Sequence, residues 1–186
     1  MSFKNILCFG TLNPDLIYFV DELPNKGDDI RSSKSSMRPG GTAINCSELI
    51  SLWNKPVQVR GNSIGKDPMG NYLVEYLKEN NINFDGLIIN ELMTPTCSIF
   101  VDASGERTIV SSGYEGLEWS NFENLSSFDS LILDRYSIRF IKDNLKNLKK
   151  LNNLFVCQAG YEYEIDYKLD FLIVSKDEIS VNEANN

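Results

Sequence analysis

The chain has 186 residues, 42% of them hydrophobic and 24% charged, which is enough for one globular domain with a sizeable core. Its formal net charge of −8 is spread from Asp15 to Glu183, and the best basic run, residues 142–150, reads as one solvated helix face, so a nucleic-acid partner is excluded. It contains no histidine, which removes Ser-His and Cys-His nucleophile pairs and His-ligated metal sites and leaves Asp, Glu, Lys, Tyr or Cys as any general base.

Residues 6–9 are a short apolar run closed by Gly10, the pattern of a buried strand. Residues 12–20 continue extended; Asn13 and Asp15, two apart, then face the same way. Pro14 between them predicts an edge or irregular strand. Residues 23–27 form a turn, and the polar, Ser-rich residues 29–37 a poorly buried strand. In Arg38-Pro39-Gly40-Gly41-Thr42-Ala43-Ile44-Asn45, Thr42 can cap a helix whose apolar face would be Cys46, Leu49, Ile50 and Trp53. A strand at 57–60 precedes a helix over 67–78, capped by Asp67, with Met69, Leu73, Tyr76 and Leu77 on one face. A strand at 87–89 follows, then a hairpin of 96–102 and 107–111 joined through Ala103-Ser104-Gly105-Glu106. The remaining elements are strands at 131–133, 155–157 and 171–174, a helix over 138–151, and a polar tail over 180–186.

Strands alternating with helices predict a parallel α/β sheet covered on both faces. The polar strands near 12–37 and 96–111 do not fit that core and would form a second, small sheet standing off it. The four cysteines (Cys8, Cys46, Cys97 and Cys157) form no C-x-x-C and have apolar neighbours, so they read as buried free thiols, in keeping with a reducing cytoplasm. Residues 1–10 do not make a signal peptide, and no segment approaches the roughly 18 apolar residues of a membrane span.

The most informative local feature is Gly40-Gly41 before a helix. Two glycines admit close backbone approach, and a helix N-terminus offers free N–H groups to a ligand. Asn45, in the first helical turn, both donates and accepts, which suits sugar hydroxyls; Asp15 can accept two hydroxyl hydrogen bonds, with Asn13 beside it. The alternative, a tight turn with Asn13 and Asp15 as loop polars, explains the same local pattern equally well. Dinucleotide and P-loop readings fail: Gly10-Thr11-Leu12-Asn13 lacks the later glycines of G-x-G-x-x-G, and no G-x-x-x-x-G-K-[ST] occurs.

Taken in order, these segments resemble the PfkB, ribokinase-type carbohydrate kinases. Gly10-Thr11-Leu12-Asn13-Pro14-Asp15 matches that family's G-x-x-N-x-D start, and Pro24-Asn25-Lys26-Gly27-Asp28 its P-x-x-G-[DE] turn. Gly40-Gly41-Thr42-Ala43-Ile44-Asn45 matches its first signature, and Gly61-Asn62-Ser63-Ile64-Gly65-Lys66-Asp67-Pro68-Met69-Gly70 resembles its G-x-x-G-x-D-x-x-G segment, with one residue more between the first two glycines. Residues 96–109 match its lid hairpin. Ile6-Leu7-Cys8, Gly105-Glu106-Arg107-Thr108-Ile109-Val110 and Val174-Ser175-Lys176-Asp177 look closest to the ketohexokinase-like branch.

The resemblance implies a ribokinase-like (Rossmann-like) core with a β-sheet lid over the sugar. Asn13 and Asp15 would bind sugar hydroxyls, Gly40, Gly41, Thr42 and Asn45 would line the other side, and Arg107 on the lid would approach phosphates or an anionic substrate group. Glu178 would be linked to magnesium and phosphate, and the complete enzyme would use ATP and magnesium. Lid sheets of this kind often pair between subunits, which implies a homodimer. The sequence also departs from the family. Thr42 stands where many members have Lys or Asn, and Ser175 where N-x-x-E has Asn. The second signature, D-T-x-G-A-G-D, whose last Asp is the general base and whose glycines hold the transferring phosphoryl group, does not occur. Asp134 and Asp170 would be poor substitutes, since each ends or starts a strand. The expectation is therefore the N-terminal, sugar-binding part of a sugar kinase, C-terminally truncated and inactive alone, with a C-terminal polypeptide as its complement and with residues 171–174 left as an exposed apolar edge. The alternative is a non-catalytic sugar-binding, regulatory or dimerisation module.

Overall fold

The apolar run after Asn5 lies at the centre of the molecule. The computed structural model describes residues 4–122, 124–141, 154–160 and 169–175. In chain order the elements are β1 (Ile6–Gly10), β2 (Asn13–Phe19), β3 (Lys34–Gly40), α1 (Thr42–Leu52), β4 (Val57–Gly61), β5 (Ile64–Gly65), α2 (Pro68–Glu79), β6 (Ile89–Asn90), β7 (Thr96–Val101), β8 (Arg107–Ser112), β9 (Ser130–Asp134), α3 (Ile138–Ile141), β10 (Phe155–Ala159) and β11 (Phe171–Ile173). All five residues of β1 are buried, because parallel strands flank it on both sides.

The main sheet runs β11-β10-β9-β1-β4, parallel throughout. Side chains alternate across it. On one face Ile6, Cys8, Val57 and Val59 pack under Ala43, Ile44 and Ile50 of α1 and Leu73 and Leu77 of α2. On the other, Leu7, Phe9, Leu131, Leu133 and Val156 pack against Ile138, Ile141, Phe122 and Leu125. The first face is covered only in part. The row Cys8–Ile132–Cys157–Phe171 crosses the sheet in register, yet exposure climbs along it to 58% at Phe171. β11 ends the sheet with all three residues exposed, the apolar edge read from residues 171–174.

The apolar face of α1 differs from the reading of its spacing. Ala43, Ile44, Ser47 and Ile50 are buried, whereas Leu49 and Trp53 stand outside, Trp53 at 69% exposure. Small residues at 43 and 47 let this side lie close to the sheet, and periodicity alone could not choose between two apolar stripes. Nor is Thr42 the N-cap: Gly41 occupies that place and no side chain caps the helix. Of the four thiols, all free, only Cys8 is buried; Cys46, Cys97 and Cys157 are partly exposed.

The second sheet runs β3-β2-β7-β8 and is built from the polar strands and the hairpin. Pro14 does not mark an edge strand, since β2 is interior. It faces Pro39 across the pair with β3, and the ladder with β7 begins one residue later at Asp15, so the missing N–H falls at the margin of the sheet. β3 starts later than residue 29 and runs into the Gly-Gly pair. β5 and β6 form a two-stranded sheet that the sequence showed only as a strand at 87–89. The continuation of the helix beyond Ile141, the basic run 142–150 and the polar tail lie outside the described residues. No helix among the described residues is long and apolar enough to cross a membrane.

Asp67 caps α2 as the sequence indicated. Its Oδ1 accepts from Gly70 N and Thr94 Oγ1 and its Oδ2 from Thr94 N, each at 2.8 Å. Burial pushes this carboxyl up, but the hydrogen bonds from Thr94 and Gly70 outweigh it and hold the group below its ordinary value of 3.8. A depressed folded value stabilises above the unfolded value, and that contribution is lost as pH falls through the folded value. Asp67→Ala should therefore lower stability by about 1–2 kcal/mol at neutral pH. The deficit should narrow as pH falls below 3.8, read from urea midpoints across that range.

Candidate functional site

β4 lies on one side of β1, whereas β9, β10 and β11 lie on the other, so the direction in which the sheet grows reverses between β1 and β9. In open parallel sheets ligands bind outside the carboxyl ends of the strands at this point. Gly10 ends β1 and Asp134 ends β9. Asp134 is 1% exposed, and its Oδ2 accepts from Thr11 N at 2.7 Å and Thr11 Oγ1 at 2.8 Å. Its Oδ1 accepts from Ser137 N at 2.7 Å. The carboxylate thus ties the two strand ends together, and Gly10 leaves it room, since a Cβ there would lie 2.7 Å from Oδ2.

Just beyond this tie the chain enters β2. Asn13 is 2% exposed and its Nδ2 donates to Asp15 Oδ1 at 2.7 Å, so the two residues do share a side. The Asp15 carboxyl lies directly over Gly40, where a Cβ would collide with it. Burial raises this carboxyl above its ordinary value, while the Asn13 hydrogen bond and the charge of Arg107 pull it back. Gly41 has φ 84 and ψ 148, and a Cβ there would collide with the Thr11 carbonyl. The glycine pair therefore admits chain against chain: β3 and α1 close on Thr11, Asn13 and Asp15.

Thr11 also uses N–H groups of α1 that the sequence left free for a ligand. Thr42 N donates to Thr11 Oγ1 and Ala43 N to Thr11 O, both at 3.2 Å. What remains open at this helix end is side-chain chemistry. Thr42 is half-buried, and Asn45 is exposed with an amide that hydrogen-bonds to none of the described residues.

Residues 4–155 match the model of the pfkB family of carbohydrate kinases. The chain belongs to the pfkB family. A ribokinase of Dictyostelium discoideum is 27% identical over 111 residues, which are 59% of this chain and 35% of that protein. The crystal structure of a Thermotoga maritima ribokinase aligns with a TM-score of 0.78 at 23% identity, over 99% of this chain and 63% of the other. Arabidopsis thaliana ribokinase complexed with ribose and ATP aligns with a TM-score of 0.74 at 18% identity, over 96% and 62%. These likenesses show a ribokinase-like α/β fold, and the chain spans about three-fifths of the length of each solved structure.

The residues that the sequence nominates for a site are only partly brought together. Asn13, Asp15, Gly40 and Gly41 meet, with Thr42 and Asn45 on the adjoining helix turn. Arg107 is exposed at the start of β8, opposite Val101, whereas Asp15 is level with Cys97 and Ser111. It lies four residues along the same sheet face and makes no ion pair with Asp15. Glu178 lies outside the described residues. Asp134 and Asp170 do end and precede strands, and Asp170 accepts from Val156 N at 2.9 Å. Tyr114 escaped the sequence reading altogether: its hydroxyl donates to Asn13 Oδ1 at 2.8 Å. Burial, and then Cys97, push this phenol well up, so it remains a donor. Its only sequence signal is an aromatic residue directly after the hairpin.

Proposed function

We propose that this chain is the sugar-binding portion of an ATP-dependent sugar kinase, an enzyme that transfers a phosphoryl group from ATP to a sugar hydroxyl. The observation that carries this reading is the half-buried Asp15 carboxylate, oriented by Asn13 over Gly40 near the switch point of the sheet. A carboxylate so placed accepts from hydroxyls, and the amide of Asn45 donates and accepts. The second sheet is the lid in this reading, with Arg107 meeting an anionic group on substrate or nucleotide.

The described residues build no all-protein metal cage and no glycine-rich phosphoryl cradle. No group of three or more His, Cys, Asp or Glu among them could hold a metal ion, and no Gly-Ala-Gly-Asp occurs in the sequence. The nucleotide site and the catalytic base then come from polypeptide outside these 186 residues. What supports such a complement is the open half-face of the main sheet, where Phe171 and Ile173 are 58% and 60% exposed and Trp53 stands on the flank of α1. Parallel sheets of this class are covered on both faces. The homodimer through the lid belongs to the same proposal, on the exposed edge strand β8; so does a cytoplasmic setting, on four free cysteines. The ketohexokinase-like branch rests on short strings alone, whereas the relatives named above are ribokinases.

Calorimetry with D-ribose, D-fructose, other pentoses and sugar acids tests the reading. One of these sugars should bind, and Asp15→Ala should weaken it by about tenfold or more through loss of charge-assisted hydrogen bonds. The isolated chain with ATP-magnesium should show no turnover. Binding that survives Asp15→Ala, or binding of no sugar, refutes the site; turnover refutes the incomplete nucleotide half. Sugar binding with no turnover in the complete polypeptide would instead favour a regulatory module.

A further inference from the structure

Tyr114 lies two residues beyond β8 and has no part in the sugar-binding reading so far. Gly113, at φ +78, turns the chain against Pro95, where a Cβ would lie 3.2 Å from the proline Cα. That turn brings the Tyr114 hydroxyl to Asn13 Oδ1 at 2.8 Å, with Cys97 Sγ at 3.8 Å. An amide side chain presents an acceptor at one end and donors at the other, and a half-turn exchanges them. With a phenol donating to its oxygen, the nitrogen of Asn13 is directed at Asp15, where Nδ2 and Oδ1 are 2.7 Å apart. Asp15 Oδ2 has no hydrogen-bond partner among the described residues and lies over Gly40.

We propose that Tyr114 is a positioning residue of the site: its hydroxyl locks the Asn13 amide so that Nδ2 occupies Asp15 Oδ1, leaving Oδ2 as the oxygen that receives a ligand hydroxyl. The last clause rests on the sugar-binding reading; the lock does not. Tyr114 follows β8, the edge strand of the second sheet, so the lock also fastens the chain leaving that sheet to the start of β2, two strands away. The phenol, kept protonated by burial, suits a permanent donor.

The test is a titration of the Asp15 carboxyl by NMR on chain carrying 13C-labelled aspartate. The charged or titratable groups around it are Arg38 opposite on β3, Cys97 beside it on β7, Arg107 on β8, Tyr114, and Asp134 beyond Tyr114. Tyr114→Phe releases Asn13 and should move the Asp15 midpoint up by about half a pH unit or more, because the donor that lowers it is no longer held. In an Asn13→Ala background the same substitution should leave the midpoint where it is. An unmoved midpoint in Tyr114→Phe, or an equal shift in the Asn13→Ala background, overturns the proposal. A wild-type measurement needs no variant to fold: the Nδ2 protons of Asn13 should exchange with solvent far more slowly than those of exposed Asn45, and equal rates also overturn it. A chain that binds no D-ribose or other sugar would count against the sugar reading and leave these results intact.

Discussion

Asp134→Ala should lower the unfolding free energy by about 3 kcal/mol or more, with a fall in urea midpoint and an unchanged slope. The residue is almost fully buried, and three donors converge on its side chain. Thr11 N, Thr11 Oγ1 and Ser137 N donate to its two oxygens, and Ser137 is 0% exposed. Truncation strands two backbone N–H groups and a hydroxyl, each worth about 1–3 kcal/mol when buried without a partner. The effect extends into the site, because Thr11 also receives Thr42 N and Ala43 N from α1. Asp134→Asn keeps the shape and one acceptor but turns an amide N–H toward a donor, so it should sit between wild type and alanine. A loss below about 1 kcal/mol in the alanine variant would mean that water takes over the carboxylate's role.

Gly41→Ala should cost about 3 kcal/mol, since two separate penalties act at this residue. Its backbone, at φ 84 and ψ 148, lies in a region essentially reserved for glycine, worth about 1–3 kcal/mol of strain. In addition the new methyl would meet the Thr11 carbonyl oxygen, a backbone atom already accepting from Ala43 N. Gly105→Ala is the control. It has the same φ of +84 but nothing within 4 Å, so only the conformational penalty, about 1 kcal/mol, should appear. Equal urea midpoints for the two variants would show that the close approach to Thr11 contributes nothing.

Several features were legible in the chain because they follow from local rules. The apolar run at 6–10, the Asp67 cap and the hairpin over 96–112 depend on burial pattern, a short side chain and a glycine turn. Asn13 and Asp15 share a face because strand side chains alternate. Other features depend on partners far along the chain. Leu49 and Trp53 have the spacing of a buried stripe, but the small residues Ala43 and Ser47 let the other side of the helix, with Ile44 and Ile50, lie on the sheet. Pro14 reads as the mark of an edge or irregular strand, yet β2 lies between β3 and β7, with the proline at the margin of the ladder. Tyr114 meets Asn13 at a sequence separation of 101, and Asp134 meets Thr11 at one of 123.

The sequence by itself determined the family segments in their order, the alternation that makes a parallel core with a second sheet, and the glycines on which the site depends. These are properties of neighbouring residues, whose backbone freedom and side-chain direction local chemistry sets. Only the tertiary structure decided what those glycines are for, which helix face is buried, and which oxygen of Asp15 stays free. Each of these depends on the atom that arrives from another strand: the Asp15 carboxyl over Gly40, the Thr11 carbonyl against Gly41, and the Tyr114 hydroxyl on Asn13.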